Sequence, residues 1–364
     1  MSYADSKLTT LLCELVAPGP HPPSADTIGA YWALSPHEWA RFEQLTIHHG
    51  LAGLVSRRLE DLGIGAPRVL QTTARRQWAK NQVLLRTLGE IAVLFRQWGI
   101  SPWSPLKGVV VLAVGYENLG DRAMHDMDIL VPPTQYAKTT AALLRAGCHV
   151  VEKDPHHPWS QWASYERSLV TPSGVVIDLH RALGYQARVK WDEMGRWDRM
   201  VRYPQLERWA PCALSPEDMW LHLVAHQAQD GLCGPLRQWV DVAFWVTATR
   251  PDPAATAQRA KSMGMGTLFE WSVDKLKQLW GIDVELPRRK PILASRVRRL
   301  LLDWSFPRSR LLSDGSGNRI ETAKRWMAYA GVDSSWQTMQ LGARFLTWRT
   351  VDKIWKKTGI HKKK

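Results

Sequence analysis

The sequence predicts an α+β fold, in which a small mixed β-sheet near the middle of the chain is flanked by helical regions on both sides. Three observations predict it. Apolar residues recur at helical spacing early in the 364-residue chain, short strand-like segments bounded by turn residues follow, and helix-start signals return in the second half. We expect a helical region over residues 1–95, an α/β core over 96–185, a second helical region over 186–295 and a basic helical segment with a lysine tail over 296–364.

Two long helices are expected in the first region. The first begins at Ser35, where Pro follows at the first helical position and Glu38 completes a capping box, and it should extend to about Leu59. A Gly- and Pro-containing stretch over residues 63–67 interrupts the pattern. The second helix is expected over residues 69–98, where apolar side chains recur at helical spacing.

Short strands are expected in the middle of the chain. They are predicted over residues 100–106, 127–131, 148–153, 165–171 and 175–180, and the last two should form an antiparallel pair across a Pro-Ser-Gly turn. The first strand should lead into a turn at Lys107 and Gly108, and helices are expected from residue 109 and over 134–146.

Helical signals resume after this core. Ser215 and Asp218 repeat the capping pattern and predict a helix that carries His222 and His226. A further helix is expected over residues 236–247.

Asp126 and Asp128 form the most informative motif. Side chains at i and i+2 of a strand point to the same face, so the two carboxylates repel one another unless a cation lies between them. Mg²⁺ prefers such hard oxygen ligands and usually combines one or two carboxylates with substrate phosphates. The motif therefore predicts a Mg²⁺–triphosphate site, with Mn²⁺ as the alternative ion.

Asp178 is a third acidic candidate, because it interrupts an otherwise apolar strand. A buried carboxylate is costly unless it is paired or bound to a metal. If its strand lies beside that of Asp128, the three aspartates would form a two-metal site in which one ion activates an acceptor hydroxyl and the other neutralises the leaving group. A structural ion pair with a neighbouring basic residue is the alternative for Asp178.

The motif order resembles the nucleotidyltransferase superfamily that includes DNA polymerase β, and more closely its branch of uncharacterised bacterial nucleotidyltransferases. The resemblance covers about residues 70–245. Its motifs are Lys107-Gly108, Arg122, Asp126-Met127-Asp128-Ile129-Leu130-Val131, Ile177-Asp178-Leu179-His180, and Leu214-Ser215-Pro216-Glu217-Asp218 through His226, followed by Arg237 to Asp241. It implies a small polymerase β-like core and a metal-dependent transferase that binds nucleotides, ATP among them.

The resemblance also implies roles for individual residues. Asp126 and Asp128 would bind both metals, and Asp178 would bind the catalytic metal and help to orient or deprotonate the acceptor. Gly108 would let the backbone approach the phosphates, which Lys107 or Arg122 would contact. The superfamily has Gly or Ser after this glycine, whereas Val109 follows it here, and the interval from Gly108 to the Asp-x-Asp pair is longer than in polymerase-like members.

Four further residues are weaker candidates. His180 lies two residues from Asp178 on the same strand face, where it could act as a general base, contact a phosphate or orient the aspartate. His226, Arg237 and Asp241 are candidates for substrate contacts.

Three functional hypotheses follow. The first is a Mg²⁺-dependent nucleotidyltransferase that moves a nucleoside monophosphate from an NTP to a hydroxyl or phosphate acceptor, which could be a small molecule or a peptide natural product. The second is a glycosyl- or sugar-phosphate transferase whose Asp-x-Asp holds a metal–nucleotide-sugar and needs no neighbouring Asp178. The third is a non-catalytic basic binding module. The chain lacks the glycine-rich motifs of P-loop kinases and dinucleotide dehydrogenases.

The charge distribution bears on the third hypothesis. The net charge is +14, and the segment from residue 296 to the end contributes +11 of it through 16 basic and five acidic side chains. Such a segment would attract nucleic acid or another acidic partner, or would simply be a solvated tail. No stretch reaches the about 20 apolar residues that a membrane span requires. The N-terminus lacks the pattern of a signal peptide, so we expect a cytoplasmic protein.

Overall fold

A computed structural model describes residues 3–19, 23–151, 165–184, 189–192, 194–230, 232, 234–287, 293–306 and 333. Most of the basic segment after residue 296, including its lysine end, therefore lies outside the described residues. The division of the chain into four regions stays a prediction.

The N-terminal region is helical, as the sequence predicted, but its described residues form five helices where the sequence predicted two long ones. They are α1 (Tyr3–Leu15), α2 (Ala25–Trp32), α3 (Pro36–His48), α4 (Ala52–Asp61) and α5 (Arg68–Gln97). The capping box at Ser35 and Glu38 is present, with hydrogen bonds in both directions. The predicted helix from Ser35 to about Leu59 is wrong in one respect, because it is divided into α3 and α4. Gly50 lies in this break with a left-handed φ of 69°, which an α-helix does not accommodate.

A five-stranded mixed sheet forms the centre of the molecule, as predicted. Its strands are β1 (Ser104–Pro105), β2 (Met127–Leu130), β3 (His149–Val150), β4 (Glu166–Val170) and β5 (Val176–His180), in the order β1-β2-β5-β4-β3. Only β2 and β5 pair in parallel, and the other neighbours are antiparallel. Helices α6 (Lys107–Gly115) and α7 (Pro133–Arg145) belong to this part of the chain.

The sheet differs from the prediction at its edges. The expected strand over residues 100–106 shrinks to β1, because Pro102 and Pro105 cannot donate the hydrogen bonds of a longer ladder. Lys107 and Gly108 do not form a separate turn but begin α6, and Lys107 takes up the change of direction with a left-handed φ of 41°. The predicted strand over residues 148–153 is paired only in β3, and residues 152–164 lie outside the described part of the chain.

The second half of the described chain is helical. It contains α8 (Gly195–Asp198), a 3₁₀ turn (Pro204–Leu206), α9 (Pro216–Gln229), α10 (Arg237–Thr249), α11 (Pro253–Ser262), α12 (Gly266–Trp280) and α13 (Leu293–Ser305). The predicted cap is confirmed, because the Ser215 side chain accepts from the Asp218 backbone N–H. No helix among the described residues is both long and apolar enough to span a bilayer.

Helix α10 connects this helical half to the sheet. It packs along α6, where the rings of Tyr116 and Phe244 stack with centroids 4.6 Å apart. It also packs against α9, and the indole of Trp245 donates to the Pro216 carbonyl at 2.9 Å. The N-terminal end of α10 is thereby brought beside the carboxylate-bearing end of β2.

The loop between α6 and β2 is held from α4 and α5. Asn81 is fully buried on α5, and its Nδ2 donates to the Leu119 carbonyl at 2.6 Å and to the Arg122 carbonyl at 2.7 Å. On α4, Gly53 lies so close to the loop that a Cβ atom there would be 1.7 Å from the Gly120 carbonyl oxygen. These contacts set the position from which the chain enters β2.

Substitution of Gly53 by alanine should therefore destabilise the protein strongly. Because the obstacle is backbone, α4 and the loop must separate, at a cost of about 3 kcal/mol or more. Urea denaturation should show this loss, or the variant should fail to fold. The matched control is Gly29→Ala on α2, where a Cβ would meet nothing within 4 Å. That change should stabilise the helix by ~0.5–1 kcal/mol. Equal stability of Gly53→Ala and the wild type would contradict the predicted contact.

Candidate active site

One cleft of about 580 Å³ lies between the sheet, α6, α9 and the start of α10. Its lining contains nine of the ten residues that the sequence singled out: Lys107, Gly108, Arg122, Asp126, Asp128, Asp178, His226, Arg237 and Asp241. The tenth, His180, is fully buried and contacts Asp128. The chain thus gathers the predicted residues at one place, although they come from four separate parts of the sequence.

The three aspartates share one wall of this cleft. Asp128 and Asp178 are direct partners in the parallel pairing of β2 with β5. Asp126 comes just before β2, two residues from Asp128, and lines the same cleft. The pairing of strands, which the sequence left conditional, therefore brings Asp178 beside the Asp-x-Asp motif.

Asp128 is the most enclosed of the three. Its Oδ1 accepts from Lys107 Nζ at 3.0 Å and lies 2.8 Å from His180 Nε2. Burial alone would raise the pKa of Asp128, but the charge of Lys107 and the hydrogen bond from His180 hold that pKa well below its usual range. For Lys107, burial opposes the charged form, but Asp128 raises its pKa above the usual value. Asp128 is thus an ionised carboxylate that Lys107 neutralises.

Asp126 is in the opposite situation. It is exposed to the cleft, and its carboxylate has no hydrogen bond or ion pair with any described residue. The surrounding protein and the negative charges of Asp128 and Asp178 raise its pKa. An unpaired acid beside two other acids favours a cation as its partner.

Asp178 and His180 are positioned by the neighbouring strand β4. Ser168 Oγ donates a short hydrogen bond to Asp178 Oδ1, and the two residues are direct partners in the β4–β5 pairing. Glu166 Oε2 lies 3.4 Å from His180 Nδ1 on the opposite side from Asp128. Strand β4 thus orients the side chains that β5 presents. Ser168 and Glu166 were missed because β4 carries no motif of its own.

Arg122 is held in a buried pair. Its Nε and Nη2 donate to the two oxygens of Asp241, each at 2.8 Å, and Tyr116 Oη donates to the same carboxylate at 2.9 Å. Burial opposes the charge of Arg122, but Asp241 raises its pKa. A phosphate contact by Arg122 stays a prediction. Asp241 does not engage Nη1, which donates to the Ala123 carbonyl at 3.4 Å.

Gly108 has a packing reason to be glycine. A Cβ atom at this position would lie 2.7 Å from Arg122 Nη1 and 3.3 Å from Met124 Sδ. The space above the glycine is therefore occupied by the Arg122 guanidinium. Its predicted role as a place of close approach for phosphates remains untested.

Positive charge also lines the cleft, where Lys107, Arg122 and Arg237 lie among the acidic residues. Arg237 Nη1 donates to the Ala123 carbonyl at 2.6 Å, close to Arg122. Lys80 Nζ lies 3.5 Å from Nδ1 of His125, which lines the cleft. Burial and the charges of Lys80, Arg237 and Arg122 lower the pKa of His125. The concentration of cations here is suited to the negative charge of a polyphosphate.

The two histidines of α9 are placed differently. His226 lines the cleft, and burial together with the charge of Lys107 lowers its pKa. His222 is buried beside Trp191, and neither ring nitrogen has a hydrogen-bond partner among the described residues. His226 thus remains the candidate for a substrate contact, while His222 is part of the core.

The donor chemistry of the cleft fits Mg²⁺ in one specific way. No group of three or more His, Cys, Asp or Glu side chains in the described part of the chain forms a ready metal site by itself. Mg²⁺ commonly takes only one or two carboxylates and completes its shell with water and substrate phosphates. The unpaired carboxylate of Asp126 and the second oxygen of Asp128 meet that requirement.

Comparison with known proteins identifies a family. A sequence model of the family described as uncharacterised nucleotidyltransferase matches residues 35–281, which is more than half of the chain. The match begins at the Ser35 cap of α3 and ends at Gly281, the C-cap of α12. It therefore includes the entire sheet and every residue of the cleft described above. No curated protein matches the chain.

The buried imidazole of His222 predicts a pH-dependent stability. Burial, together with the charge of Lys107, holds the pKa of His222 well below its usual value of 6.5. In the unfolded chain the ring takes up a proton near that value, whereas in the folded protein it stays neutral. The free energy of unfolding should therefore fall as pH drops below about 6.5, by at most about 1.4 kcal/mol per pH unit for this group.

Urea denaturation between pH 7 and pH 5 should measure this dependence. His222→Leu should reduce the slope and leave the part that His125 and His226 carry, since their pKa values are also lowered. His37→Gln, a change of an exposed histidine on α3, should leave the slope as in the wild type. An unchanged slope in His222→Leu would show that another group carries the effect.

The Arg122–Asp241 pair predicts a second stability effect. Asp241→Asn should cost about 3–5 kcal/mol, because it leaves Arg122 buried without its counter-charge. The double change Arg122→Met/Asp241→Leu should cost less, since no unpaired charge remains. Glu90→Gln is the control, because Arg86 and Glu90 are exposed at 83% and 61%. That change should cost at most about 1 kcal/mol. Equal losses for the Asp241 and Glu90 variants would contradict a structural role for the buried pair.

Proposed function

The chain belongs to the family described as uncharacterised nucleotidyltransferase, and we propose that its cleft transfers a nucleoside monophosphate from an NTP to a hydroxyl or phosphate acceptor, with release of pyrophosphate. The family membership supports nucleotidyl transfer as the general activity and a nucleotide as a substrate. The dependence on Mg²⁺, the use of an NTP such as ATP, and the acceptor belong to the proposal.

The observation that carries the proposal is the position of Asp178. It lies directly across the parallel strand pair from Asp128, and Asp126 lines the same cleft. A site that only holds a metal–nucleotide-sugar needs the Asp-x-Asp pair but no third carboxylate beside it. The neighbouring Asp178 therefore favours nucleotidyl transfer over glycosyl or sugar-phosphate transfer.

The three aspartates would have different roles, which follow from their different contacts. Asp126 and Asp128 would hold Mg²⁺ together with the triphosphate, since Asp126 is unpaired and Asp128 remains ionised. Bound there, Mg²⁺ would supply charge neutralisation for the phosphates. Asp178 would orient the acceptor hydroxyl and accept its proton, while the hydrogen bond from Ser168 fixes the carboxylate. Mn²⁺ has similar oxygen preferences and is the alternative ion.

The basic residues would position the phosphates. Lys107, the first residue of α6, donates a hydrogen bond to Asp128 and would contact the triphosphate from the N-terminus of that helix. Arg122 and Arg237 also line the cleft, and Arg237 donates to the carbonyl of Ala123, the residue after Arg122. Phosphoryl-type transfer depends mainly on such positioning and on charge stabilisation. His180 would act through Asp128, which it touches from the buried side.

The acceptor would enter beside Asp178. Tyr165 and Glu166 line this side of the cleft, and His226 and Gln229 line it from α9. Their hydroxyl, carboxylate, imidazole and amide groups suit a polar acceptor such as a small molecule or a peptide side chain.

A labelled-nucleotide assay tests the proposal. The protein is incubated with each NTP labelled at the α-phosphate, with Mg²⁺ and candidate acceptors, and transfer of label to the acceptor is measured. Asp126→Asn and Asp178→Asn should each lower the rate by about a hundredfold or more. Chelation of the metal should abolish transfer, and added Mg²⁺ or Mn²⁺ should restore it.

The matched control for this assay is Asp26→Asn, which changes an exposed aspartate on α2. Its rate should equal that of the wild type. Label transfer that is insensitive to both cleft substitutions would refute the proposed site. Sugar transfer from a nucleotide-sugar given in place of the NTP, with no label transfer from any NTP, would support the glycosyl alternative.

The carboxylate of Asp126 should lower the stability of the folded protein, although the proposed activity requires it. Because burial and its acidic neighbours raise its pKa in the folded state, the ionised carboxylate costs stability at neutral pH. Asp126→Asn should therefore raise the free energy of unfolding at pH 7 in the absence of metal. The gain should vanish as pH falls below about 4, where the aspartate of the unfolded chain is also protonated. Chemical denaturation at several pH values checks this, and a loss of stability at pH 7 would contradict it.

A further inference from the structure

A second cleft, of about 500 Å³, lies between α4 and the first half of α5. Its size falls within the ~300–1,000 Å³ of typical small-molecule sites. The two clefts share one loop: residues 118, 120 and 121 line the second cleft, and residues 122–126 line the first. The second cleft is thus a separate space against the same chain segment.

Polar side chains of α4 line this cleft. Two helices that pack directly on one another would present apolar side chains there instead. Ser56, Arg57 and Glu60 line it at helical spacing, on the face of α4 that meets α5. Positions at this spacing normally carry the apolar residues that bury one helix against another. The apolar residues of α4, such as Leu54 and Val55, are instead buried elsewhere in the core.

Arg57 forms a fixed part of this wall. Its Nε donates to Asp121 at 2.8 Å, and its Nη1 donates to Glu117 at 2.8 Å and to Asp61 at 3.4 Å. These three carboxylates neutralise the guanidinium. Arg57 therefore holds the shared loop in place and is not the group that would attract an anion.

The α5 wall offers a free cation and a flat ring. Arg75 and Trp78 lie three positions apart and both line the cleft. Arg75 is exposed and has no ion pair with any described residue, and Trp78 is 47% exposed. An indole face stacks with planar rings, and a guanidinium binds phosphate or carboxylate through two parallel hydrogen bonds.

Ser56 supplies a third element. The residue is only 4% exposed, and its Oγ has no hydrogen-bond partner among the described residues. Buried hydroxyl groups are nearly always hydrogen-bonded. A ligand with hydroxyl groups between its ring and its anion would meet this requirement.

We propose that the second cleft binds a nucleotide: its base stacks on Trp78, its phosphate pairs with Arg75, and its sugar hydroxyls face the polar α4 wall at Ser56. Among the described residues that line this cleft, Glu60 and Asp121 alone carry carboxylates, and Arg57 already engages Asp121. The cleft therefore binds the nucleotide without the acidic cluster of the first cleft. The proposal does not rest on the transfer activity proposed above.

The test is calorimetric titration of the full-length protein with AMP in the presence of a metal chelator. Trp78→Ala should raise the AMP dissociation constant about five- to 150-fold, because base–aromatic stacking contributes ~1–3 kcal/mol. Arg75→Ala should weaken AMP binding as well, and Trp78→Phe should retain most of it. Adenosine and inorganic phosphate, each carrying half of the ligand, should bind more weakly than AMP.

Two controls match these variants. Arg76→Ala removes the exposed neighbouring arginine of α5, and Trp32→Ala removes a tryptophan on α2 that is 63% exposed. Neither residue lines the cleft, so AMP binding should stay as in the wild type. Equal weakening by Arg76→Ala would indicate only a general attraction of anions and would overturn the proposal. So would AMP binding that is absent in the wild type or unaffected by the Arg75 and Trp78 substitutions.

The same titrations in an Asp126→Asn background separate the two clefts. AMP binding that depends on Trp78 should persist there, even if the first cleft proves to have no transfer activity. If the Trp78 effect disappears in that background, the AMP measured is bound in the first cleft and the second site is refuted.

Discussion

The buried pair of Arg122 and Asp241 is the interaction on which the geometry of the cleft depends. It joins the loop that precedes β2 to helix α10 through two charge-assisted hydrogen bonds, and Tyr116 adds a third contact to the same carboxylate. A buried ion pair of this kind adds little net stability, because both charges must be desolvated. Its importance here is positional, since it ties the loop that leads to Asp126 to the start of α10, which also carries Arg237.

The cleft brings together carboxylates that repel one another. Asp126 lies unpaired near two other acids, whereas Asp128 is neutralised by Lys107 and contacted by His180. The protein therefore stabilises one carboxylate internally and leaves another without a partner. A charge left without a partner in the protein is typical of a site whose partner is a ligand.

The loop between α6 and β2 connects two clefts of different chemistry. It is fixed from α5 by Asn81 and from α4 by Arg57 and by the close backbone contact at Gly53. The first cleft meets this loop with acidic and basic walls suited to a metal–polyphosphate. The second meets it with an indole, a free guanidinium and a buried hydroxyl, groups that suit recognition rather than group transfer.

The sequence by itself determined the helices with strong local signals, including the caps at Ser35 and Ser215, and it determined that Asp126 and Asp128 share a face. Both conclusions depend on contacts within a few residues, which spacing encodes directly. Only the tertiary structure decided that β5 pairs with β2, that Lys107 neutralises Asp128, and that Arg122 is committed to a partner 119 residues away. Such pairings arise from the packing of distant elements, so no local pattern could predict them, and the second cleft between two helices had no motif at all.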